Sequence, residues 1–253
     1  MPLSDEQVKA YDRDGFLGGI RIADDAAAAR YRELFDRLEA AEGREKCAIG
    51  LLDRHVDQPF IWELATHTRI LDCMESLVGP DILLLATQFF CKYGQDGKFV
   101  AWHQDLTYWG LEPPLAVTAW YAIDDSDCGN GCMRVIPGTH RGGIREHGKA
   151  ERQGNLLSIN QSVSVRAEDE ARAVDLVLTA GEISIHHGEL VHGSLPNCSG
   201  RRRCGLTMRY VPPHVKPVRP NSRGEYWQAT LVRGRDTHQN FPSRSAPIPQ
   251  PSC

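Results

Sequence analysis

The stretch WHQDLTYWG, Trp102 to Gly110, sets a histidine and an aspartate two residues apart, His103 and Asp105. Imidazole nitrogen and carboxylate oxygen are both ligands for a divalent transition metal. Two histidines and one carboxylate on one face of an ion leave open positions for substrate and dioxygen, the arrangement of non-haem iron(II) oxygenases. The pair alone is weak evidence. With 10 His and 18 Asp in 253 residues, an H-x-D is expected roughly 0.7 times by chance, and His55-Val56-Asp57 has the same spacing.

Strand geometry separates the two pairs. Side chains at i and i+2 of a strand share a face, so His103 and Asp105, leaving a strand that begins near Phe99, can aim at one point. His55 lies among Asp53, Asp57 and Pro59 and reads as surface loop. A third ligand is expected from IHHGELVHGSLPN, where His186, His187 and His192 compete. His192 is favoured because Gly193 and Ser194 follow it and leave room beside an ion. In RRRCGLTMRYV, Arg203, Gly205, Thr207 and Arg209 share one face; Cys204, Leu206, Met208 and Tyr210 share the other. The apolar face belongs on a core, so Arg203 is expected to look into a polar cavity, where a guanidinium can grip a carboxylate with two prongs. Arg201 and Arg202 read as a solvated basic turn.

These residues need a scaffold. Ser4 and Gln7 form a capping box for a helix over 5–14 that stops at Gly15. Asp24 or Asp25 caps a longer one closed by Gly43, and a third covers roughly 67–78, ending at Gly79-Pro80. Short runs rich in apolar and β-branched residues follow at 82–92, 99–105, 115–123, 132–136, 173–178, 182–186, 189–193 and 203–211. Gly, Pro, Asn and Asp punctuate them. Many short strands after a helical first third predict a β-sandwich or barrel with helices packed on one side. No G-x-G-x-x-G occurs, which argues against a dinucleotide-binding sheet. The polar segment 141–172 reads as a long irregular loop, functional or mobile, and the tail from Ser243 as extended and poorly ordered. We expect one domain: a helical part over 1–80, a β core over 81–212 and an extension over 213–253.

Bulk properties exclude other classes. A net charge of −4 gives no reason to expect nucleic acid or an anionic membrane as partner. The longest apolar stretches, such as ILLLATQFF, are too short to span a bilayer. No basic start followed by an apolar run marks a secretory signal, so a cytoplasmic location is expected. The eight cysteines lack a C-x-x-C pair and read as reduced thiols. Cys128 and Cys132 with His140 make a poor zinc site, because structural zinc wants four ligands at tighter spacing.

The order H-x-D, then H-G-S-x-P-N, then an arginine eleven residues after that histidine resembles the phytanoyl-CoA dioxygenase (PhyH) family. WHQDLTYWGL, DCGNGCMRVIPGTHR, AGEISIHHGELVHGS and RRRCGLTMRYVPP are its landmarks here, and together they cover most of the chain. The resemblance implies a double-stranded β-helix (a jelly-roll, cupin-like fold, mainly β with flanking helices). It implies an enzyme using Fe(II), 2-oxoglutarate and O2 to hydroxylate an unactivated C–H bond, with release of succinate and CO2. It makes His103, Asp105 and His192 the iron ligands and pairs Arg203 with the far carboxylate of 2-oxoglutarate. Ser194 becomes a helper at that carboxylate, Gln88 and Trp120 line the cosubstrate pocket, and His187 supports the centre from behind. Relatives that halogenate have a small residue in place of the carboxylate, so Asp105 favours hydroxylation, with desaturation or ring formation as open alternatives. Two other readings stay open: a cupin-like metalloenzyme without 2-oxoglutarate, and a non-catalytic β-helix binding protein. For a small-molecule substrate, Tyr108, Trp109 and Arg209 are the candidate contacts, suiting an anionic or amphipathic molecule. Its identity and the oligomeric state are not legible.

Overall fold

The computed structural model describes residues 1–221 and 224–244. The expected tail from Ser243 therefore lies largely outside the described residues. The chain opens with α1 (Asp5–Asp14), β1 (Phe16–Arg21), α2 (Asp25–Glu42), α3 (Arg44–Ile49), α4 (Pro59–Ala65) and α5 (Thr68–Val78). Then come β2 (Ile82–Lys92), β3 (Val100–His103), α6 (Leu106–Trp109), β4 (Leu111–Glu112), β5 (Val117–Ala122), β6 (Met133–Val135), β7 (His147–Lys149) and β8 (Gln161–Val163). The remaining elements are α7 (Ala167–Glu170), β9 (Val174–Leu176), β10 (Glu182–His187), β11 (His192–Ser194), β12 (Arg203–Val211), β13 (Lys216–Pro217) and β14 (Thr230–Arg233).

Local chemistry sets the helix ends. Ser4 and Gln7 close a reciprocal capping box on α1, and Gly15 ends it in the left-handed region at φ 84°. Asp24 accepts from the Ala27 amide at 2.8 Å to start α2. Three elements of the N-terminal third escape the sequence reading: β1, α3 and α4. β1 pairs antiparallel with β10, Phe16 meeting His186, 170 residues further on, and Leu17 meeting Ile185, and no local pattern announces such a partner. The 141–172 segment is also less irregular than expected, since β7 and β8 make a hairpin within it.

Two sheets form the jelly roll. A six-stranded sheet runs β1-β10-β5-β12-β2-β14, and a four-stranded sheet runs β3-β11-β6-β9. Helices cover the outer face of the large sheet, where Tyr31, Phe35, Leu64 and Met74 pack against Phe89, Leu206, Met208 and Tyr210. Burying each such side chain contributes about 1.5–3 kcal/mol, which fixes the register of β12: a one-residue slip would turn Cys204, Leu206, Met208 and Tyr210 away from this core. Trp120, Met133, Val135, Leu176 and Leu190 fill part of the space between the sheets. The rest of that space is polar. Among the described residues no helix is long and apolar enough to cross a membrane.

Two expectations about surface residues are corrected. His55 is buried, 1% exposed, in a 3-10 turn whose ring bonds Thr87 Oγ1 at 3.0 Å and stacks on Trp62. Burial pushes its pKa down to about 4. Arg202 is not a solvated turn residue either. It pairs with Asp124, Asp36 and Glu39, tying the start of β12 to α2, and of the two arginines only Arg201 is itself exposed, paired with Asp127.

Candidate metal centre and active site

β3 ends at His103 and pairs there with β11, so that His103 faces His192 directly across the ladder. Their rings lie 4.1 Å apart by centroid. Each Nδ1 sits 2.9 Å from a main-chain carbonyl, Ala101 for His103 and Leu190 for His192. A carbonyl accepts only, so each Nδ1 carries a proton, which leaves Nε2 of each ring as the atom that can ligate a metal. Burial, with His103 and His186 beside it, holds the His192 pKa well below the usual imidazole value, which keeps it a neutral ligand.

Asp105 reaches the same point by a different route from strand parity. It has left the strand and adopts helical angles, φ −60° and ψ −43°, at the start of α6. Its Oδ1 lies 3.5 Å from Nε2 of His103 and 3.9 Å from Nε2 of His192. Thr118 Oγ1 donates to Oδ2 at 3.1 Å. Between the two ligand positions, Gln104 locks the turn. Its amide donates to the Gly143 and Glu189 carbonyls at 2.9 and 2.7 Å and its oxygen accepts from the Arg145 amide at 2.7 Å. The donor atoms of His103, Asp105 and His192 all lie within 4.8 Å of one another, and all three residues are buried. Two imidazoles whose Nδ1 atoms are held by main-chain carbonyls, with one carboxylate, fit a divalent metal, and their open side fits a non-haem iron(II) site.

The other histidines divide by strand parity. His186 points into this pocket and lies 3.4 Å from Asp105 Oδ2. His187 points the opposite way, toward Tyr11 and His140, where burial pushes its pKa down to about 4. The expectation that His187 backs the centre is thus corrected; its neighbour on the inner face is the one that touches Asp105.

Arg203 forms the far wall. It is 2% exposed, its guanidinium lies 4.5 Å over the Trp120 ring, and its Nε meets Ser126 Oγ at 3.4 Å. Among the described residues no carboxylate lies within 4.0 Å of it. Burial alone lowers its pKa to about 10. Beside it stands Lys92, fully buried and paired with Arg203 across the β2–β12 ladder. Lys92 donates to Ser194 Oγ at 2.5 Å and to the Gly131 carbonyl at 3.1 Å, and it also bonds the Leu195 carbonyl. Burial, then Arg203, pushes its pKa down to about 6. The Ser194 oxygen is thereby occupied as acceptor, and its O–H is free to donate. Sequence reasoning missed Lys92 and Thr118, yet both carry a signal: Gln88, Phe90 and Lys92 alternate on one strand face, as do Thr118 and Trp120 on another.

Gln88 does not join Arg203. Its amide donates to the Ile49 carbonyl at 2.9 Å and its oxygen accepts from Arg209 at 3.3 Å, at the edge of an outer cavity of about 1080 Å³. Tyr108, Trp109, Arg209 and Trp227 also line this cavity. Arg209 borders both spaces, 6% exposed, with its guanidinium 5.4 Å over Trp109 and its buried Nε unpartnered. The Arg244 guanidinium in the same cavity is already neutralised by Asp53 at 2.8 Å. Elsewhere, Cys128 and Cys132 converge with Asp175, whereas His140 is turned away onto the Asp12 carbonyl, so the three residues considered for zinc do not meet.

Two packed antiparallel sheets enclosing a His-Asp-His centre define the class of non-haem iron oxygenases. Residues 11–205 match the family described as "Phytanoyl-CoA dioxygenase (PhyH)", and the chain belongs to that family. It is an iron(II)- and 2-oxoglutarate-dependent dioxygenase. The peroxisomal phytanoyl-CoA dioxygenase of Bos taurus is 29% identical over 233 residues, covering 83% of this chain and 68% of the bovine protein. Among solved structures, the non-heme monooxygenase ThoJ superposes with a TM-score of 0.78 at 29% identity, over 95% of this chain and 88% of ThoJ. CytC3 with Fe(II) and alpha-ketoglutarate shares the fold, with a TM-score of 0.68 at 24% identity, over 94% and 92% of the two chains.

Proposed function

We propose that the enzyme hydroxylates an unactivated C–H bond of a small molecule bearing an anionic group, with release of succinate and CO2. The observation that carries the site assignment is the pairing, in one pocket, of three convergent metal donors with a buried arginine that has no counter-ion. A dianionic 2-oxo acid supplies both what the donors need and what Arg203 lacks. A metal enzyme working without such an acid leaves a buried guanidinium uncompensated, at a cost of several kcal/mol.

In this reading His103, Asp105 and His192 hold iron(II), which supplies oxidative decarboxylation of 2-oxoglutarate and activation of O2 when bound. Arg203 takes the far carboxylate, and Ser194, fixed by Lys92, donates its O–H to the same group. Trp120 supports the guanidinium through its ring face and walls the cosubstrate from water. Gln88 acts at one remove, orienting Arg209. The substrate enters the outer cavity, where Tyr108 and Trp109 offer aromatic faces and Arg209 pairs with a carboxylate, phosphate or similar anion. That pairing holds the reacting carbon at the mouth of the inner pocket, so orientation is set before oxidation. The chain acts as one oxygenase domain. A cytoplasmic setting is supported by seven free cysteines among the described residues.

Anaerobic titration with Fe(II) and 2-oxoglutarate tests the site. A weak visible charge-transfer band is expected, and its absence in metal-loaded protein overturns the reading. A succinate-release screen of carboxylates and phosphonates against their neutral esters tests the substrate class; equal turnover of acid and ester would remove Arg209 from substrate recognition.

A further inference from the structure

Asp105 presents its two oxygens to different partners. Oδ1 faces Nε2 of His103 and His192; Oδ2 meets Thr118 Oγ1 at 3.1 Å and His186 Nε2 at 3.4 Å. His186 is 1% exposed, and neither of its ring nitrogens has a hydrogen-bond partner. Leaving a polar ring buried and unpaired costs about 1–3 kcal/mol, so an imidazole here needs a reason that a hydrophobic residue would not. The backbone holds the ring firmly. His186 sits inside the six-stranded sheet, paired to Thr118 on β5 and to Phe16 on β1. Its ring packs 4.5 Å from that of His192. Its nitrogens fall outside the group of donors that lie within 4.8 Å of one another, so it neighbours the ligand set without belonging to it.

We propose that His186 is a positioning residue of the metal centre: with Thr118 it engages Asp105 Oδ2, so that the carboxylate binds metal through Oδ1 alone. This rests on the iron-site reading above. A small rotation of the ring brings Nε2–H onto Oδ2, leaving both carboxylate oxygens occupied once a metal sits on Oδ1. An Asp105 free to bind through both oxygens would fill one of the positions that cosubstrate and O2 require. Outer partners of this kind orient the ligand and tune its basicity, and their loss typically weakens metal affinity about 10–100-fold.

The test is anaerobic titration of the metal-free 253-residue chain with Co(II), followed by its visible absorption. His186→Phe fills the volume without a donor; His186→Gln places an amide N–H near the position of Nε2. The expected result is a Co(II) Kd raised about 10-fold or more in His186→Phe, with a shifted band, and restored to near wild type in His186→Gln. Thr118→Val should move the band in the same direction. Should His186→Phe not fold, judged by thermal melting of the metal-free protein, His186→Met replaces it as the donor-free variant. Wild-type Kd and spectrum in the donor-free variant, or equal losses in it and His186→Gln, overturn the proposal. Failure of the wild type to bind Co(II), or equal binding by Asp105→Ala, instead overturns the metal site itself.

Discussion

The guanidinium of Arg203 lies 4.5 Å over the indole of Trp120 and meets no carboxylate among the described residues. Arg203→Ala should therefore raise the KM for 2-oxoglutarate by about 100-fold or more, the loss of a charge-assisted two-pronged contact of roughly 3 kcal/mol. Steady-state kinetics with varied 2-oxoglutarate measures it. Arg202→Ala is the control: it should lower the melting temperature through Asp124, Asp36 and Glu39 and leave that KM unchanged. An equal rise in KM from Arg202→Ala would reassign the arginine.

Gly205 makes the Arg203–Trp120 stack possible. A Cβ at this position would stand 1.9 Å from Trp120 Cζ2, inside the ring. Gly205→Ala must push the indole aside, at about 1–3 kcal/mol of overpacking. Thermal denaturation should show a drop of several degrees together with altered tryptophan fluorescence; an unchanged melt would mean that the ring moves freely.

Asp105→Ala removes the single carboxylate of the donor group. Hydroxylation should fall below detection, and metal affinity should drop by more than the 10–100-fold typical of outer partners. Succinate release and isothermal metal titration read the two effects separately. Retained turnover would take Asp105 out of the ligand set.

Gln104→Leu keeps the volume but leaves the Gly143 and Glu189 carbonyls and the Arg145 amide without their partner. About 2–4 kcal/mol of stability should be lost, measured by urea unfolding. Metal affinity should fall with it, because Gln104 sits between the two ligands of one turn.

His55 gives a pH dependence with a definite sign. Burial pushes its folded pKa down to about 4 from the ordinary imidazole value of about 6.5, so between those values the unfolded chain binds a proton that the folded chain refuses. Stability is present in full above about pH 6.5 and is lost as pH falls toward 4, at up to about 1.4 kcal/mol per unit from this residue. His55→Leu should flatten that slope in urea melts between pH 7 and 5. An unchanged slope would assign the acid sensitivity to other groups.

Where a rule is local and strict, the sequence sufficed. The period of two along RRRCGLTMRYV predicts that Arg203, Thr207 and Arg209 share a pocket and that Cys204, Leu206, Met208 and Tyr210 share a core, and they do. Caps at Ser4, Gly15 and Asp24 predict helix ends within a residue. The H-x-D pair and the H-G-S run, in their order, point to the family that the comparison also finds.

What the sequence could not hold is the identity of distant partners. His55 looks like loop because its company is polar; Thr87, 32 residues away, is what makes its burial tolerable. Lys92 ends an apolar run and becomes a fully buried amine because Ser194, 102 residues on, and the Gly131 and Leu195 carbonyls receive it. His186 and His187 are adjacent and chemically identical, so residue type could not choose between them. The sheet chose: pairing β10 between β1 and β5 turns His186 onto Asp105 and His187 toward α1. Asp105 reached the centre by a helical turn where strand parity was expected, since the tertiary structure fixes where an atom ends and sequence spacing fixes only how far it can reach.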